Sequence, residues 1–531
     1  MRMATIISQT DKRSGITYAY ESISFWDKEK KQSRSKRTLI GRVDEETGEI
    51  VPTDGRMKKA KEKEIPISTR KTRRLFYGAT YLLDKISEEV GIEKDLKSCF
   101  PNTYKHILSL AYYLVLEPDS PLYRFDKWDK LHKHPYGKNI SSERSTSVLS
   151  SISEDGKNKF FKLQGKRRIE KEFNAYDTTS ISSNSEILKH VVYGKNKEND
   201  DLPQLNLALL YGEESMLPFY YRKLPGNMSD MKIVSSLLAE LDVLGFTNVK
   251  LVMDRGFFRE KNVNEMFKRR AKFLMGVKMN LKFIQEVFEE VRSEIKTFEN
   301  YNENYGLYGY TVRTNWQYKQ ERKGIERVEN RRIYIHFYFD IQRAADDEVK
   351  LDKKLSQLYN DLVTDQRKPS KVKQYEKYFS IKTTPKRGTK AVLKDEVVAL
   401  EKQQLGYFAL VSNVTLKAPE AIDIYRTKDV VEKAFGNLKE RLEMRRMHVS
   451  TEETLEGKIF VQFVALIFYS FIKKRLKNTG FSKKYTVQQL LDQLELIECF
   501  EAPGHKTSVS ELSQKQSDIF EAFGIEPPSS L

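Results

Sequence analysis

The order of short segments between residues 172 and 279 constrains the fold more than any other feature of this sequence. Three extended segments come first, "EFNAYDTTSIS", "LPQLNLALLYG" and "MLPFYYRKLPG". A helical pattern follows, "SDMKIVSSLLAELDVLG", and then the strand "NVKLVMD", the helix "REKNVNEMFKRR" and the strand "AKFLMGVKM". This succession predicts an α/β fold in which helices pack on a mixed sheet.

Two of the predicted strands end on an aspartate. The apolar run "VKLVMDRGFF" is interrupted at Asp254, and "NAYDTTS" places Asp177 at the end of the first strand. Aspartate is depleted in strands and an unpaired buried charge is costly, so a bound ligand would explain the pattern. Ligands of open α/β sheets gather beyond the strand ends, where residues distant in sequence converge. A helix cap or a turn is the alternative explanation for each aspartate.

A third acid lies in "APEAIDIYRTKDVVEKAFGNLKERL", which is predicted to form one long helix. Spacings of three, four and seven residues place four polar side chains on one stripe of that helix: Tyr425, Lys428, Glu432 and Lys439. A neighbouring apolar stripe is a natural core face: Val431, Phe435, Leu438 and Leu442. The helix can therefore bury one side and present Glu432 beside cations. An ordinary solvated ion pair between Lys428 and Glu432 is the alternative.

The charge of the chain favours a polyanion as its partner. Its 531 residues carry 93 Lys and Arg against 75 Asp and Glu, a formal net charge of +18. Phosphates neutralised by such cations release counterions, so nucleic acid is the expected ligand, although net charge also keeps a protein monodisperse. The basic run 366–394 contains Tyr375, Tyr378 and Phe379 and is predicted to face DNA rather than only solvent. The segment "RLEMRRMHV" (441–449) is predicted to do the same.

Composition also excludes several classes of protein. Hydrophobic residues make up 39% of the chain, which supports globular folding, and a chain of this length predicts several domains. The two cysteines, Cys99 and Cys499, form no zinc spacing and fit a reducing cytoplasm. The segment "IFVQFVALIFYSFI" (459–472) contains Gln462 and Ser470 and is shorter than a bilayer span, so it is predicted to be a buried helix.

These motifs resemble those of DDE transposases of bacterial insertion sequences, specifically the group with the YREK signature. That signature is Tyr, two residues, Arg, three residues, Glu, six residues and Lys. "YRTKDVVEKAFGNLK" matches it at Tyr425, Glu432 and Lys439, whereas Lys428 stands at the Arg position. "YDTTS", "GNMSD" (226–230) and "MDRGFF" occur in the expected order. Lysine gives a point charge without the bidentate fork of arginine.

The resemblance implies a ribonuclease H-like core with an insertion before the Glu-bearing helix. It implies that two Mg²⁺, or Mn²⁺ in their place, are held by three catalytic acids: Asp177, Asp254 and Glu432. Phosphate or DNA contacts are expected from Tyr425, Lys428, Lys439, Arg255 and Trp316. Some members of the group form a DNA hairpin in which an aromatic residue stacks on a flipped base, and Trp316 is the candidate here. A Trp that anchors a small core is the alternative.

The resemblance further implies cut-and-paste transposition in the bacterial cytoplasm, at the nucleoid. The expected partners are double-stranded DNA, as terminal inverted repeats and target, and a second copy of the chain in a synaptic complex, with no membrane. The predicted regions are a β-rich unit (1–55), a basic linker with a helical DNA-binding part (56–170), the first part of the core (171–280), the insertion (281–405), the rest of the core (406–475) and a helical end (476–531). Two alternatives are a two-metal nuclease or resolvase that does not join DNA, and a catalytically inactive DNA-binding repressor.

Overall fold

A computed structural model describes residues 4–27, 30–45, 47–51, 72–183, 188–194, 202–227, 230–322, 325–384, 388–442, 449 and 451–529. Most of the basic linker, residues 443–448 of the second basic segment, and residues 228–229 of "GNMSD" lie outside these ranges. The chain divides into two units, residues 1–73 with 501–506 and residues 74–500 with 507–531.

The first unit contains a four-stranded antiparallel sheet, as the alternation of its sequence predicts. Its strands pair in chain order: β1 (Ala4–Thr10), β2 (Thr17–Asp27), β3 (Gln32–Val43) and β4 (Ile50–Val51). Ala19 is fully buried, whereas Ile6 and Trp26 are exposed on this sheet.

The second unit is built on a nine-stranded mixed sheet, which confirms the predicted α/β class. Its strands are β6 (Phe173–Ser182), β7 (Gln204–Gly212), β8 (Pro218–Pro225), β9 (Lys250–Met253), β10 (Lys272–Val277), β11 (Tyr301–Asn302), β12 (Leu307–Arg322), β13 (Ile325–Asp340) and β16 (Tyr407–Ser412). They lie in the order β11-β12-β13-β16-β10-β9-β6-β7-β8. β9 runs parallel to both β6 and β10, and the pairings of β6 with β7 and of β10 with β16 are antiparallel. The strands predicted around both aspartates are therefore direct neighbours.

Helices cover this sheet and extend from it. Those of the predicted N-terminal helical part are α1 (Gly78–Val90), α2 (Ile92–Cys99), α3 (Tyr104–Leu116), α4 (Phe125–Asp129), α5 (Ser142–Ser150) and α6 (Glu154–Gly165). The helices between the core strands are α7 (Asp230–Val243), α8 (Glu260–Lys268) and α9 (Lys282–Ile295). The C-terminal helices are α15 (Glu452–Asn478), α16 (Val487–Glu495) and α17 (Gln514–Phe523). A small sheet joins the C-terminal strands β17 (Glu498–Glu501) and β18 (Ser508–Val509) to β5 (Arg73–Phe76), in the order β18-β17-β5.

Helix α15 confirms the prediction of a buried apolar helix. In the described part of the chain it is the one helix long and apolar enough to cross a membrane, and 94% of its apolar window is buried inside the protein. Every residue from Ile459 to Ile472 is buried, and the helix packs against α3, α5, β8 and the helix Asp429–Glu440. The polar Gln462 is accommodated because its side-chain amide donates to the Leu442 carbonyl at 2.7 Å. α15 therefore forms the centre of the helical core.

The segment predicted as an insertion divides into two parts. Its first part, with β12 and β13, extends the central sheet by a hairpin of two 16-residue strands. Its second part consists of α10 (Ile341–Val363), α11 (Val372–Tyr378), β14 (Phe379–Thr384), β15 (Gly388–Leu393) and α12 (Asp395–Lys402). These elements enclose a small core of their own that includes Leu355, Leu358 and Leu362.

The expectation that the aromatic residues of the basic run face DNA is wrong for all three. Tyr375, Tyr378 and Phe379 are buried in the small core of the insertion. The hydroxyl groups of the two tyrosines donate to Asp361 and Glu401 respectively. Apolar burial here outweighs the pattern of cations around these residues, because the rings pack with the leucines of α10 in this core.

The single long helix expected from residue 418 is also wrong, because two helices occupy that segment. α13 (Ala418–Arg426) ends before Thr427 and α14 (Asp429–Glu440) begins after Lys428. The Thr427 hydroxyl donates to the Ile424 carbonyl at 2.5 Å, and the backbone amides of Thr427 and Lys428 bond three residues back rather than four. A threonine side chain that bonds the preceding turn in this way competes with helical hydrogen bonds. The apolar stripe is confirmed: Val431, Phe435, Leu438 and Leu442 are all buried.

Candidate active site

Asp177 and Asp254 lie side by side at one edge of the parallel part of the sheet. Tyr176 pairs with Met253 in the register of β6 and β9, so the next residue on each strand is an aspartate. Neighbouring strands lie about 4.8 Å apart, and in-register residues point to the same face. The prediction that Asp177 ends its strand is wrong, because β6 continues to Ser182, whereas Asp254 directly follows β9. The two aspartates come together because the register pairs the residues that precede them.

The other residues of the site come from the turn between α13 and α14. The Tyr425 hydroxyl donates to Asp254 Oδ1 at 3.1 Å, and Lys428 Nζ lies 3.5 Å from the same oxygen. Lys428 Nζ also lies 3.2 Å from Glu432 Oε1 on the first turn of α14. One ammonium group thus bridges carboxylates of two elements that are far apart in sequence.

Glu432 approaches the sheet because α14 packs on β6 and β7 through its apolar stripe. The carboxylate oxygens of Glu432 and Asp254 are separated by no more than their two distances to Lys428 Nζ combined. Asp177 accepts a hydrogen bond from the Thr178 amide at 2.7 Å, and its charge also acts on Lys428. Lys428 therefore contacts two of the three predicted acids and is also influenced by the charge of the third, Asp177.

Electrostatics favour the charged forms of Asp254 and Lys428. Burial by itself would raise the pKa of Asp254, but the Lys428 charge, the Arg255 amide and the Tyr425 hydroxyl together lower it. Burial opposes charge on Lys428 as well, yet the nearby carboxylates raise its pKa above the ordinary value. Burial and the Asp254 charge raise the pKa of Tyr425, so its hydroxyl remains a hydrogen-bond donor. The site is therefore an acidic cluster that attracts cations.

Whether the three carboxylates suit a metal ion depends on their donor atoms and on their spacing. Three carboxylates are the hard oxygen ligands that Mg²⁺ prefers. Among the described residues, which include all three acids, no group of three or more Asp, Glu, His or Cys side chains lies close enough together to hold a metal ion. The donor chemistry thus fits Mg²⁺, while in this arrangement Lys428 is the cation that lies between Asp254 and Glu432.

The sequence alone did not single out Gly276, on β10, which makes room for this arrangement. A Cβ atom at Gly276 would lie 2.6 Å from the Tyr425 hydroxyl oxygen and 3.1 Å from the Arg255 backbone nitrogen. Both distances are shorter than ordinary van der Waals contact, so a side chain here would displace Tyr425 from Asp254. A glycine within a strand is the signal that could have marked this close approach.

A cavity of about 650 Å³ adjoins the site, beginning directly after Asp254. Its lining combines aromatic and basic side chains, among them Arg255, Arg259, Lys278, Phe258 and Trp316. Arg255 and Trp316, both predicted as DNA contacts, are therefore brought to one place. Arg259 and Lys278 were missed by the sequence analysis, although Lys278 directly follows a strand, where ligands of α/β sheets collect.

Trp316 is partly buried in the wall of this cavity. Its indole nitrogen donates to Asn264 Oδ1 at 2.9 Å. Its ring packs edge-on against Phe283 and Phe258, with centroid distances of 5.6 and 6.1 Å. These contacts are those expected of a Trp that anchors a small core, which is the alternative role given for this residue in the sequence analysis.

Lys439 lies in the last turn of α14, two turns beyond Glu432.

Residues 168–468 match the family model described as the transposase DDE domain, which is more than half of the chain. The chain belongs to the transposase DDE domain family. Membership implies an enzyme of phosphoryl transfer on nucleic acid. No curated protein matches this transposase-family chain. A solved structure that is similar to it is the cryo-EM structure of a piggyBac transposase synaptic complex with hairpin DNA, at TM-score 0.36 and 9% sequence identity, covering 74% of this chain and 69% of that one.

The transposase domain match contains every residue of the site. Asp177, Asp254 and Glu432 all fall within it, and so do the basic cavity and the insertion. The four-stranded sheet of the first unit and the helices α1 to α6 precede it. The matched residues are therefore those that build the central sheet and bring the acids to its edge.

Proposed function

We propose that this protein is the transposase of a bacterial insertion sequence of the YREK group, with a ribonuclease H-like core, and that it cuts and joins DNA. The observation that carries the proposal is the meeting of Asp177 and Asp254 on neighbouring parallel strands with Glu432 across Lys428. Such a set of carboxylates within a transposase DDE domain is suited to metal-assisted phosphoryl transfer.

In this proposal Asp177, Asp254 and Glu432 hold two Mg²⁺, for which Mn²⁺ can substitute. When bound, these ions supply the Lewis acidity that activates the attacking oxygen and stabilises the leaving oxygen. The role of Tyr425 is to orient Asp254 through its hydroxyl group. Lys428 and Lys439 provide positive charge for the phosphates, although lysine lacks the bidentate geometry of the arginine in the signature.

The proposed reaction consists of two displacements at phosphorus. A water oxygen first attacks the phosphodiester that joins the element to the flanking DNA. The 3′ oxygen of the element's terminal nucleotide leaves with a proton as a 3′-hydroxyl. That hydroxyl then attacks a phosphodiester of the target, and the target's own 3′ oxygen leaves. The number of phosphodiester bonds is conserved in the second step, so it requires no external energy source.

DNA would be held by the basic cavity beside Asp254. Arg255, Arg259 and Lys278 provide charge for phosphates, and Phe258 and Trp316 provide aromatic surface. If the reaction passes through a hairpin, Trp316 is the residue proposed to stack on the flipped base. The contacts of Trp316 with Asn264 and Phe283 mean that it also supports the wall of the cavity.

The proposed partners follow from the same reaction. Double-stranded DNA enters as terminal inverted repeats and as target, and two copies of the chain pair the two ends in a synaptic homodimer. We propose that the protein works in the cytoplasm, at the bacterial nucleoid, without a membrane. The +18 formal charge supports this partner, because binding is then favoured by release of counterions from DNA.

The deciding experiment is a strand-transfer assay on DNA that carries the element's ends, with and without Mg²⁺. The wild-type protein should yield joined product, and Asp254→Asn should yield neither cleavage nor joining while it still retards DNA in a gel. Asp365→Asn is the matched control, since Asp365 is 84% exposed in the insertion and remote from the three acids in the sequence. Cleaved ends without joined product would favour the nuclease, and binding without cleavage would favour the repressor.

A further inference from the structure

Lys428 lies between two carboxylates, as Lys157 and Lys223 do elsewhere in the protein, but its two carboxylates are predicted metal ligands. Its side chain is 22% exposed, and its Nζ lies 3.2 Å from Glu432 and 3.5 Å from Asp254. A typical pair at the same helical spacing, Lys130 with Asp126, is 67% and 47% exposed and involves one carboxylate. Lys428 therefore contacts a second carboxylate, that of Asp254 directly after β9, which helical spacing cannot supply.

The backbone turn explains how the ammonium reaches this position. Lys428 lies at the junction of α13 and α14, where the amide bonds three residues back tighten the chain. From this junction the side chain reaches Asp254 at the sheet edge as well as Glu432 on α14. A lysine suits a position between two carboxylates, because it is a compact charge with three donors that point in different directions.

We propose that Lys428 is a resident counter-cation, which neutralises part of the acidic cluster before metal binds and must leave for metal to enter. The inference rests on the proposed function, because it concerns the same three acids. Without a cation, Asp254, Glu432 and Asp177 would repel one another. A divalent ion between them would in turn repel the ammonium group, so the two cations exclude each other.

Displacement has a consequence for the order of events. When a metal ion takes its place, the Lys428 ammonium loses its carboxylate partners and is free to contact a phosphate of bound DNA. Metal binding and DNA binding then favour each other through one side chain, and the coupling is reciprocal. Lysine at the signature's Arg position, Lys428, suits this exchange, because a point charge can change partners without a fixed geometry.

The test measures Mn²⁺ binding to the full chain by isothermal titration calorimetry, in the absence of DNA, for wild type, Lys428→Met and Lys428→Gln. We expect both variants to bind Mn²⁺ about tenfold more tightly, the change that follows from removing half-buried ion pairs which the metal must otherwise break. Their melting temperature without metal should be lower than that of wild type, because the acids then repel one another. Lys428→Arg keeps the charge and Lys130→Met removes an exposed lysine, so both should bind Mn²⁺ like wild type.

The outcomes separate this inference from the proposed function. Wild type and both neutral variants binding Mn²⁺ with equal affinity would overturn the counter-cation, and would leave the metal site in place. Wild type and variants all failing to bind Mn²⁺ would overturn the proposed metal site itself. Weaker DNA binding with unchanged Mn²⁺ affinity would show that Lys428 serves DNA alone, which also overturns the inference.

Discussion

Because Gly276 approaches Tyr425 so closely, we expect Tyr425→Phe to suppress the destabilisation caused by Gly276→Ala. Replacing Gly276 with alanine puts a Cβ 2.6 Å from the Tyr425 hydroxyl oxygen, inside the distance that real Cβ atoms tolerate. Tyr425 must then move and lose its hydrogen bond to Asp254. Overpacking of this kind costs about 1–3 kcal/mol. The lost hydrogen bond adds about 0.5–1.5 kcal/mol, a neutral-pair value used because Asp254 is 45% exposed and water can replace the donor.

Removing the hydroxyl should remove most of this cost. In Tyr425→Phe the nearest remaining neighbours of the new Cβ are the Arg255 backbone nitrogen at 3.1 Å and the Arg255 Cβ at 3.3 Å, which small shifts can relieve. Alanine also restricts the unfolded chain relative to glycine, which favours folding by about 0.4–1 kcal/mol. Gly276→Ala should therefore cost about 1–3 kcal/mol in wild type and less than about 0.5 kcal/mol in the Tyr425→Phe background.

Urea unfolding of the four proteins of this double-mutant cycle, followed by circular dichroism, gives the two costs. DNA cleavage measured on the same samples shows whether activity follows the position of Tyr425. In that case Gly276→Ala should lower activity to the level of Tyr425→Phe, and the double variant should lose no more. Equal destabilisation by Gly276→Ala in both backgrounds would refute the reasoning, since the clash would then not involve the hydroxyl.

Two further predictions concern the fold. His336 is fully buried, and burial lowers its pKa to about 4, so stability should fall as the pH drops from about 6.5 to about 4, by about 3 kcal/mol in total. The unfolding free energy of His336→Phe should not show this loss when it is compared with that of wild type across the same pH range. The same dependence on pH in both proteins would contradict a buried, neutral His336. Arg167→Met should cost about 3 kcal/mol, because Asp95 is 3% exposed and would lose a bidentate partner. The matched change Lys130→Met, in an exposed pair with Asp126, should cost less than about 1 kcal/mol in the same denaturation assay.

The sequence by itself determined the elements and the position of the acids along them. The continuous apolar run of α15 and the apolar stripe of α14 are buried as predicted, because burial there depends on the composition and spacing of one element. The approach of Asp177 and Asp254 was predicted from strand ends, but only Asp254 follows a strand end, and it is the register of β6 with β9 that brings Asp177 beside it. The pattern at Tyr375 and Tyr378 misled, because cations near an aromatic residue do not reveal which side chains will bury it.

Tertiary structure alone decided how the site is completed. Tyr425 meets Asp254 across 171 positions of sequence, and Gly276 makes room for both. The turn at Thr427 breaks the expected helix and sends Lys428 between two carboxylates from different elements. No local pattern encodes these contacts, because each depends on the distance between side chains that only the folded sheet and its packed helices bring together.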